Sequence, residues 1–159
     1  MLKPGDRAPE FSLPNEDDRE VSLTDLLNNG PLILYFYPAD FTPGCTKEAC
    51  SFRDLHDELL TVRLQVVGIS PQSPESHQKF KEKHNLPFTL LSDMDKAVIG
   101  MYGVDGPLGF GVRRATLLID PDRIVKASLL ADFRIDRHSE FIRQAITIRN
   151  AAMGKESSA

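Results

Sequence analysis

The chain has 159 residues, 41% hydrophobic and 26% charged, with a formal net charge of −4. That length suits one domain with a buried core, and the mild acidity, with no basic stripe, gives a nucleic-acid role no electrostatic support. Apolar runs such as "LILYFY" are far too short to span a bilayer, and the opening "MLKPGDRAPEF" lacks the apolar core of a signal peptide, so a cytoplasmic protein with no membrane partner is expected.

Residues 9–23, "PEFSLPNEDDREVSL", read as a β-hairpin around a charged turn. A short helix follows, with Ser22 as its N-cap and Gly30 beyond its end. "PLILYFY", a continuous apolar run between prolines, predicts a strand buried on both faces. After the loop "PADF", Thr42 is placed to cap a helix and Pro43 to be its first residue. That helix is expected to run on through "GCTKEACSFRDLHDELL", with Cys45, Ala49, Phe52, Leu55 or His56, and Leu59 on one apolar stripe. "LQVVGIS" is a second buried strand, and Ser73 with Pro74 starts a helix ending near Asn85. "FTLLSD" is a short strand, "DKAVIGMYG" a short helix ended by Gly103, and "DGPLGFGV" a glycine-rich loop. "RATLLID", the turn "PDR" and "IVKASLLA" form an antiparallel hairpin, and a last helix covers about 136–153. The order is that of an α/β protein with a thioredoxin-like fold: a central mixed sheet with helices on both faces and an N-terminal β-hairpin extension. Residues 1–153 form its single domain, and 154–159, "GKESSA", a flexible tail.

The only two cysteines, Cys45 and Cys50, lie five residues apart in one segment. Two thiols do not make a disulfide scaffold, and a chain of this size needs none. Structural zinc takes four ligands, commonly in closer pairs, and His56, His77, His84 and His138 form no motif with the cysteines. His77 and His84 are expected to face solvent on their helix. The spacing also differs from the Cys-x-x-Cys of dithiol oxidoreductases. A free cysteine is often only a small buried apolar residue. Cys45, however, would occupy the first helical turn, where N–H groups lack helical partners and the dipole is positive, and both favour a thiolate. It also follows a turn after a buried strand, the edge at which open α/β sheets bind ligands.

These residues resemble a known family. "PADFTPGCT" matches the peroxiredoxin signature Pro-x-x-x-Thr-x-x-Cys at Pro38, Thr42 and Cys45. The second cysteine within "CTKEACSFRD" is similar to the bacterioferritin comigratory protein, or PrxQ, subgroup of the AhpC/TSA peroxiredoxins. "APEFSL", "VVGIS", "FTLLSD", "YGV" and "RATLLID" fall in the family's order over roughly residues 4–145. The chain departs from it at "SPQS", at Leu117 and at the turn "PDR", where relatives often carry Ser-x-Asp, Phe and a glycine turn. The resemblance implies a thioredoxin-dependent peroxidase acting on hydrogen peroxide and organic hydroperoxides, with no metal or organic cofactor, as a monomer or homodimer. Cys45 would attack the peroxide and become a sulfenic acid. Thr42 would hydrogen bond at the site, Pro38 would shield the thiolate from water, and Arg114 would place its charge beside sulfur and peroxide. The residues alone leave Arg113 and Arg114 equivalent; the family alignment selects Arg114. Gly44 and Glu48 would join the substrate site. Cys50 would resolve the sulfenic acid as an intramolecular disulfide, or else be a bystander in a one-cysteine peroxidase. A redox-inert binding module or holdase is the reading from another class.

Five residues of intact helix separate Cα atoms by about 8.7 Å. A disulfide requires less than about 7 Å. If Cys50 resolves, the first turns of the helix must therefore unwind, and Gly44 makes that start easier to open.

Overall fold

A computed structural model describes the backbone of residues 1–157 and the side chains of residues 1–154. The strands are β1 (Ser12–Pro14), β2 (Glu20–Ser22), β3 (Leu32–Phe36), β4 (Gln65–Ser70), β5 (Thr89–Ser92), β6 (Ala115–Ile119) and β7 (Val125–Leu130). The helices are α1 (Leu23–Leu27), α2 (Pro43–Asp54), α3 (His56–Thr61), α4 (Pro74–His84), α5 (Ala97–Met101) and α6 (Ile135–Ser157). β1 and β2 form the expected antiparallel hairpin.

The remaining strands make one mixed sheet in the order β5-β4-β3-β6-β7. β3 pairs parallel with β4 and antiparallel with β6, which puts the loop after β3 beside the start of β6. Side chains alternate across a strand, so β3 feeds two cores. Leu32, Leu34 and Phe36 pack with α1, α5 and the N-terminal segment. Ile33, Tyr35 and Tyr37 pack with Cys45, Ala49 and Phe52 of α2, Phe80 of α4 and Ile142 of α6. Burial on both faces explains the unbroken apolar run of β3.

Three sequence expectations need correction. The helix expected from Pro43 through Leu60 is two helices, because Leu55 (φ −94°, ψ 1°) leaves helical geometry between α2 and α3. Phe52, Leu55 and Leu59 stay buried across the break, so the apolar stripe survives the bend. His77 is fully buried rather than solvent-facing, and His84 is half-buried with its ring against Phe80. α6 continues past Met153 to Ser157, into the segment expected to be a tail; 158–159 lie outside the described residues. At "PDR", Arg123 takes the left-handed backbone (φ +71°) that a glycine turn would supply. Its guanidinium donates to the Ala8 carbonyl, which offsets part of that strain.

Candidate active site

The chain leaves β3 through Tyr37 and Pro38 and turns at Ala39–Phe41 into α2. Phe41 adopts φ +65°, unusual for a bulky side chain. Its ring packs edge-on against Phe80. Thr42 holds the N-cap position with extended backbone, and its carbonyl accepts from Thr46 N–H. Its side chain makes no capping bond; the hydroxyl donates to the Ala39 carbonyl at 3.0 Å, bracing the turn. Pro43 is the first helical residue, as expected.

Cys45 follows in the first turn of α2 and is 1% exposed. Arg114 reaches it from the residue preceding β6. Its Nη2 donates to Cys45 Sγ at 3.3 Å and its Nη1 to Glu48 Oε1 at 2.7 Å. Its backbone N–H and its Nε donate to the side chain and the carbonyl of Asp132. Burial disfavours the Arg114 charge, but Glu48 and Cys45 outweigh it and hold the guanidinium more firmly protonated than usual. Gly44 permits this approach: a Cβ there would sit 3.1 Å from Arg114 Nη2. Arg113, which also lines the cleft, makes no bond to Cys45 and instead forms an exposed ion pair with Asp132. The arrangement therefore distinguishes the two arginines, which sequence spacing left equivalent.

Glu48 lies one turn after Cys45 on the same face of α2 and is fully buried. Burial pushes its carboxyl up to about 7, against the pull of Arg114. Its second oxygen, Oε2, has no hydrogen-bond partner. A cleft of about 890 Å³ opens over this cluster, lined by Pro38, Gly44, Val112, Arg114, Phe133 and Ile135. Phe110 and Phe133, 75% and 94% exposed, stand at its rim. Cys50 is half-buried farther along α2, and both thiols are free.

Pro38, Gly44 and Arg114 thus line one cleft, and Cys45 and Glu48 are buried in contact with Arg114; Thr42 stays at its turn, and Cys50 lies apart along an intact helix. Sequence reasoning missed three neighbours. Asp132 anchors Arg114, and His138 of α6 is buried beside Glu48. Asp40, in the loop before α2, is buried against His77 Nδ1 at 2.7 Å and Tyr37 Oη at 2.6 Å. That network ties the loop to α4 and, through His77 Nε2 and the Leu91 carbonyl, to β5. The one available signal was an acidic residue within "PADFT".

Comparison with known proteins takes in the whole chain. The AhpC/TSA family matches residues 4–128. A putative peroxiredoxin bcp of Coxiella burnetii is 45% identical over 143 residues, 86% of this chain and 93% of the relative. The crystal structure of peroxidoxin BcpB from Mycobacterium tuberculosis superposes with a TM-score of 0.86 at 40% identity, covering 95% of this chain and 98% of that one. The bacterioferritin comigratory protein of Xanthomonas campestris, which has alkyl peroxide reduction activity, superposes with a TM-score of 0.81 at 26% identity, covering 93% and 96%. With the family matched over most of its length, the chain belongs to the AhpC/TSA family and is a peroxiredoxin, a thiol peroxidase, of the bacterioferritin comigratory protein (PrxQ) group.

Proposed function

We propose that Cys45 is the thiol that attacks the peroxide and Cys50 the thiol that resolves the product. The observation that carries the first half is the Arg114 guanidinium 3.3 Å from a buried Cys45 sulfur in the first turn of a helix, beneath a cleft. The Cys45 thiolate attacks the terminal peroxide oxygen. An S–O bond forms, the O–O bond breaks, and the departing oxygen takes a proton to leave as water or an alcohol. Cys45 is left as a sulfenic acid.

Ionisation alone supplies little of the rate. A free thiol is about 3% thiolate near about pH 7, so full ionisation gains at most about 30-fold, or about 2 kcal/mol. The rest comes from stabilising charge on the departing oxygen. Arg114 and the unpaired N–H groups at the start of α2 are placed for that, and the Thr42 hydroxyl can join by leaving the Ala39 carbonyl. Pro38 limits water at the sulfur. The aromatic rim of Phe110 and Phe133 suits organic hydroperoxides as well as hydrogen peroxide.

Resolution requires motion. In intact α2 the two Cα atoms are about 8.7 Å apart by helical geometry, beyond disulfide reach. The first turns of α2 unwind, the Cys50 thiolate attacks the sulfenic sulfur, and water leaves as the disulfide forms. A cytoplasmic dithiol reductant such as thioredoxin returns both thiols.

The intact helix, which holds Cys50 away from Cys45, favours a second reading in which Cys50 is a bystander. Thiol titration and mass spectrometry after one equivalent of peroxide decide between them. Loss of two thiols with a disulfide between Cys45 and Cys50 supports resolution; loss of one, with a sulfenate, leaves the one-cysteine reading. Cys45→Ser should keep less than about a hundredth of the activity, about 2.7 kcal/mol of barrier. A folded variant that retains more overturns the assignment of Cys45.

A further inference from the structure

Glu48 and His138 form a buried pair in which one carboxylate oxygen has no hydrogen-bond partner. His138 Nε2 lies 2.8 Å from the Ala131 carbonyl, which can only accept, so Nε2 carries hydrogen. In neutral His138, Nδ1 is then a bare acceptor, and it faces Thr116 Oγ1 at 2.7 Å. The same Nδ1 lies 3.6 Å from Glu48 Oε2, the carboxylate oxygen without a hydrogen-bond partner. Both side chains are fully buried. The Thr116 hydroxyl can serve Nδ1, but Glu48 Oε2 has no donor, and a buried carboxylate oxygen without one favours a proton on the pair.

Charge counting gives the same result. Arg114 is the cation that bonds to both Cys45 and Glu48. With Cys45 as thiolate and Glu48 ionised, two buried anions would share one guanidinium. One proton on the Glu48–His138 pair brings the cluster to neutrality. We propose that Glu48 and His138 hold one proton between them while Cys45 is a thiolate, and so act as positioning residues that leave the Arg114 charge to the reacting sulfur. The inference rests on the reading of Cys45 as the reacting thiol.

The proton has two possible seats, Glu48 Oε2 or His138 Nδ1, and belongs to the pair. Burial raises the Glu48 carboxyl, and burial together with Arg114 and Arg137 lowers the His138 imidazole, which favours the carboxyl seat. The other groups facing Glu48 are Arg114, Cys45 and Tyr35, whose hydroxyl is packed over Gly68. Those acting on His138 are Arg114, Arg137 and Asp132.

The test compares wild type with Glu48→Gln, which fixes the side chain as neutral while keeping an oxygen for Arg114. Infrared spectra of the reduced protein should contain a protonated-carboxyl C=O band that disappears as pH passes about 7 and is missing in Glu48→Gln. His138→Gln should move that midpoint down by about one pH unit, about the value of one net hydrogen bond. Thr116→Val, which removes the competing donor at Nδ1, should move it up and serves if His138→Gln does not fold. In stopped-flow measurements of sulfenate formation, the ratio of Glu48→Gln to wild-type rate constants should rise about tenfold between about pH 6 and about pH 8. A ratio constant with pH would make Glu48 only a fixed acceptor for Arg114, and it overturns the proposal, as does absence of the carboxyl band. The band does not depend on turnover, so it stands or falls separately from the role of Cys45.

Discussion

Arg114 divides its nitrogens among three partners: the Cys45 sulfur, the Glu48 carboxylate and the Asp132 carbonyl. A planar fork can span that set, whereas a lysine ammonium on a flexible stem cannot. Arg114→Lys should therefore keep the charge and still slow sulfenate formation about a hundredfold, the order seen when one transition-state donor is removed. Arg113→Lys alters only an exposed ion pair with Asp132, worth about 1 kcal/mol or less, and should change the rate less than about fivefold. Stopped-flow rate constants for both variants check this; a reversed order would mean that Arg113 serves the sulfur. Gly44 belongs to the same geometry, since Gly44→Ala would place a methyl 3.1 Å from Arg114 Nη2. Its role as an easy starting point for unwinding could be read from the sequence. Its role in admitting the guanidinium could not, because Arg114 is 70 residues away and meets it only once β6 lies beside β3.

At the scale of the element, α2 carries both cysteines, and the proposed resolution requires its first turns to come apart. Cys45, Glu48, Ala49 and Phe52 are its buried residues, and Cys50 is half-buried. Oxidation with peroxide should lower the helical signal in circular dichroism and speed amide exchange from about Gly44 to Phe52, because i to i−4 bonds are lost there. Dithiothreitol should restore both. Cys50→Ser should show neither change and should stall as a sulfenate open to over-oxidation. An oxidised wild-type protein with full protection across α2 and a free Cys50 thiol would end the unwinding mechanism. The apolar stripe of this helix was legible from spacing alone. The break at Leu55 was not, because one residue in a bridge conformation leaves the spacing of Phe52, Leu55 and Leu59 almost untouched.

The whole molecule holds the site from behind as well as from the cleft. The two-faced sheet could be read from "LILYFY", whose alternate residues enter separate cores. The buried Asp40–His77 pair could not. His77 lies in a polar stretch of α4, and only the loop after β3, 37 residues earlier, brings it a carboxylate. Tyr37 and Ser76 also donate to that carboxylate, so Asp40→Ala strands several buried polar groups at once. It should destabilise the protein by about 3 kcal/mol. Urea denaturation tests this, and a loss below about 1 kcal/mol would show that water replaces the carboxylate at no great cost.

Because the thiols of intact α2 cannot bond, the proposed disulfide makes the helix set an electrode potential as well. Any free energy lost when its first turns open is charged against the disulfide and returned on reduction, which makes the disulfide a stronger oxidant by about 30 mV for each 1.4 kcal/mol. Weakening the folded helix should then make the protein harder to reduce. Ala49→Gly, at about 1 kcal/mol of helix propensity, should lower the potential by about 20 mV in equilibrium with a thioredoxin couple, with neither cysteine touched.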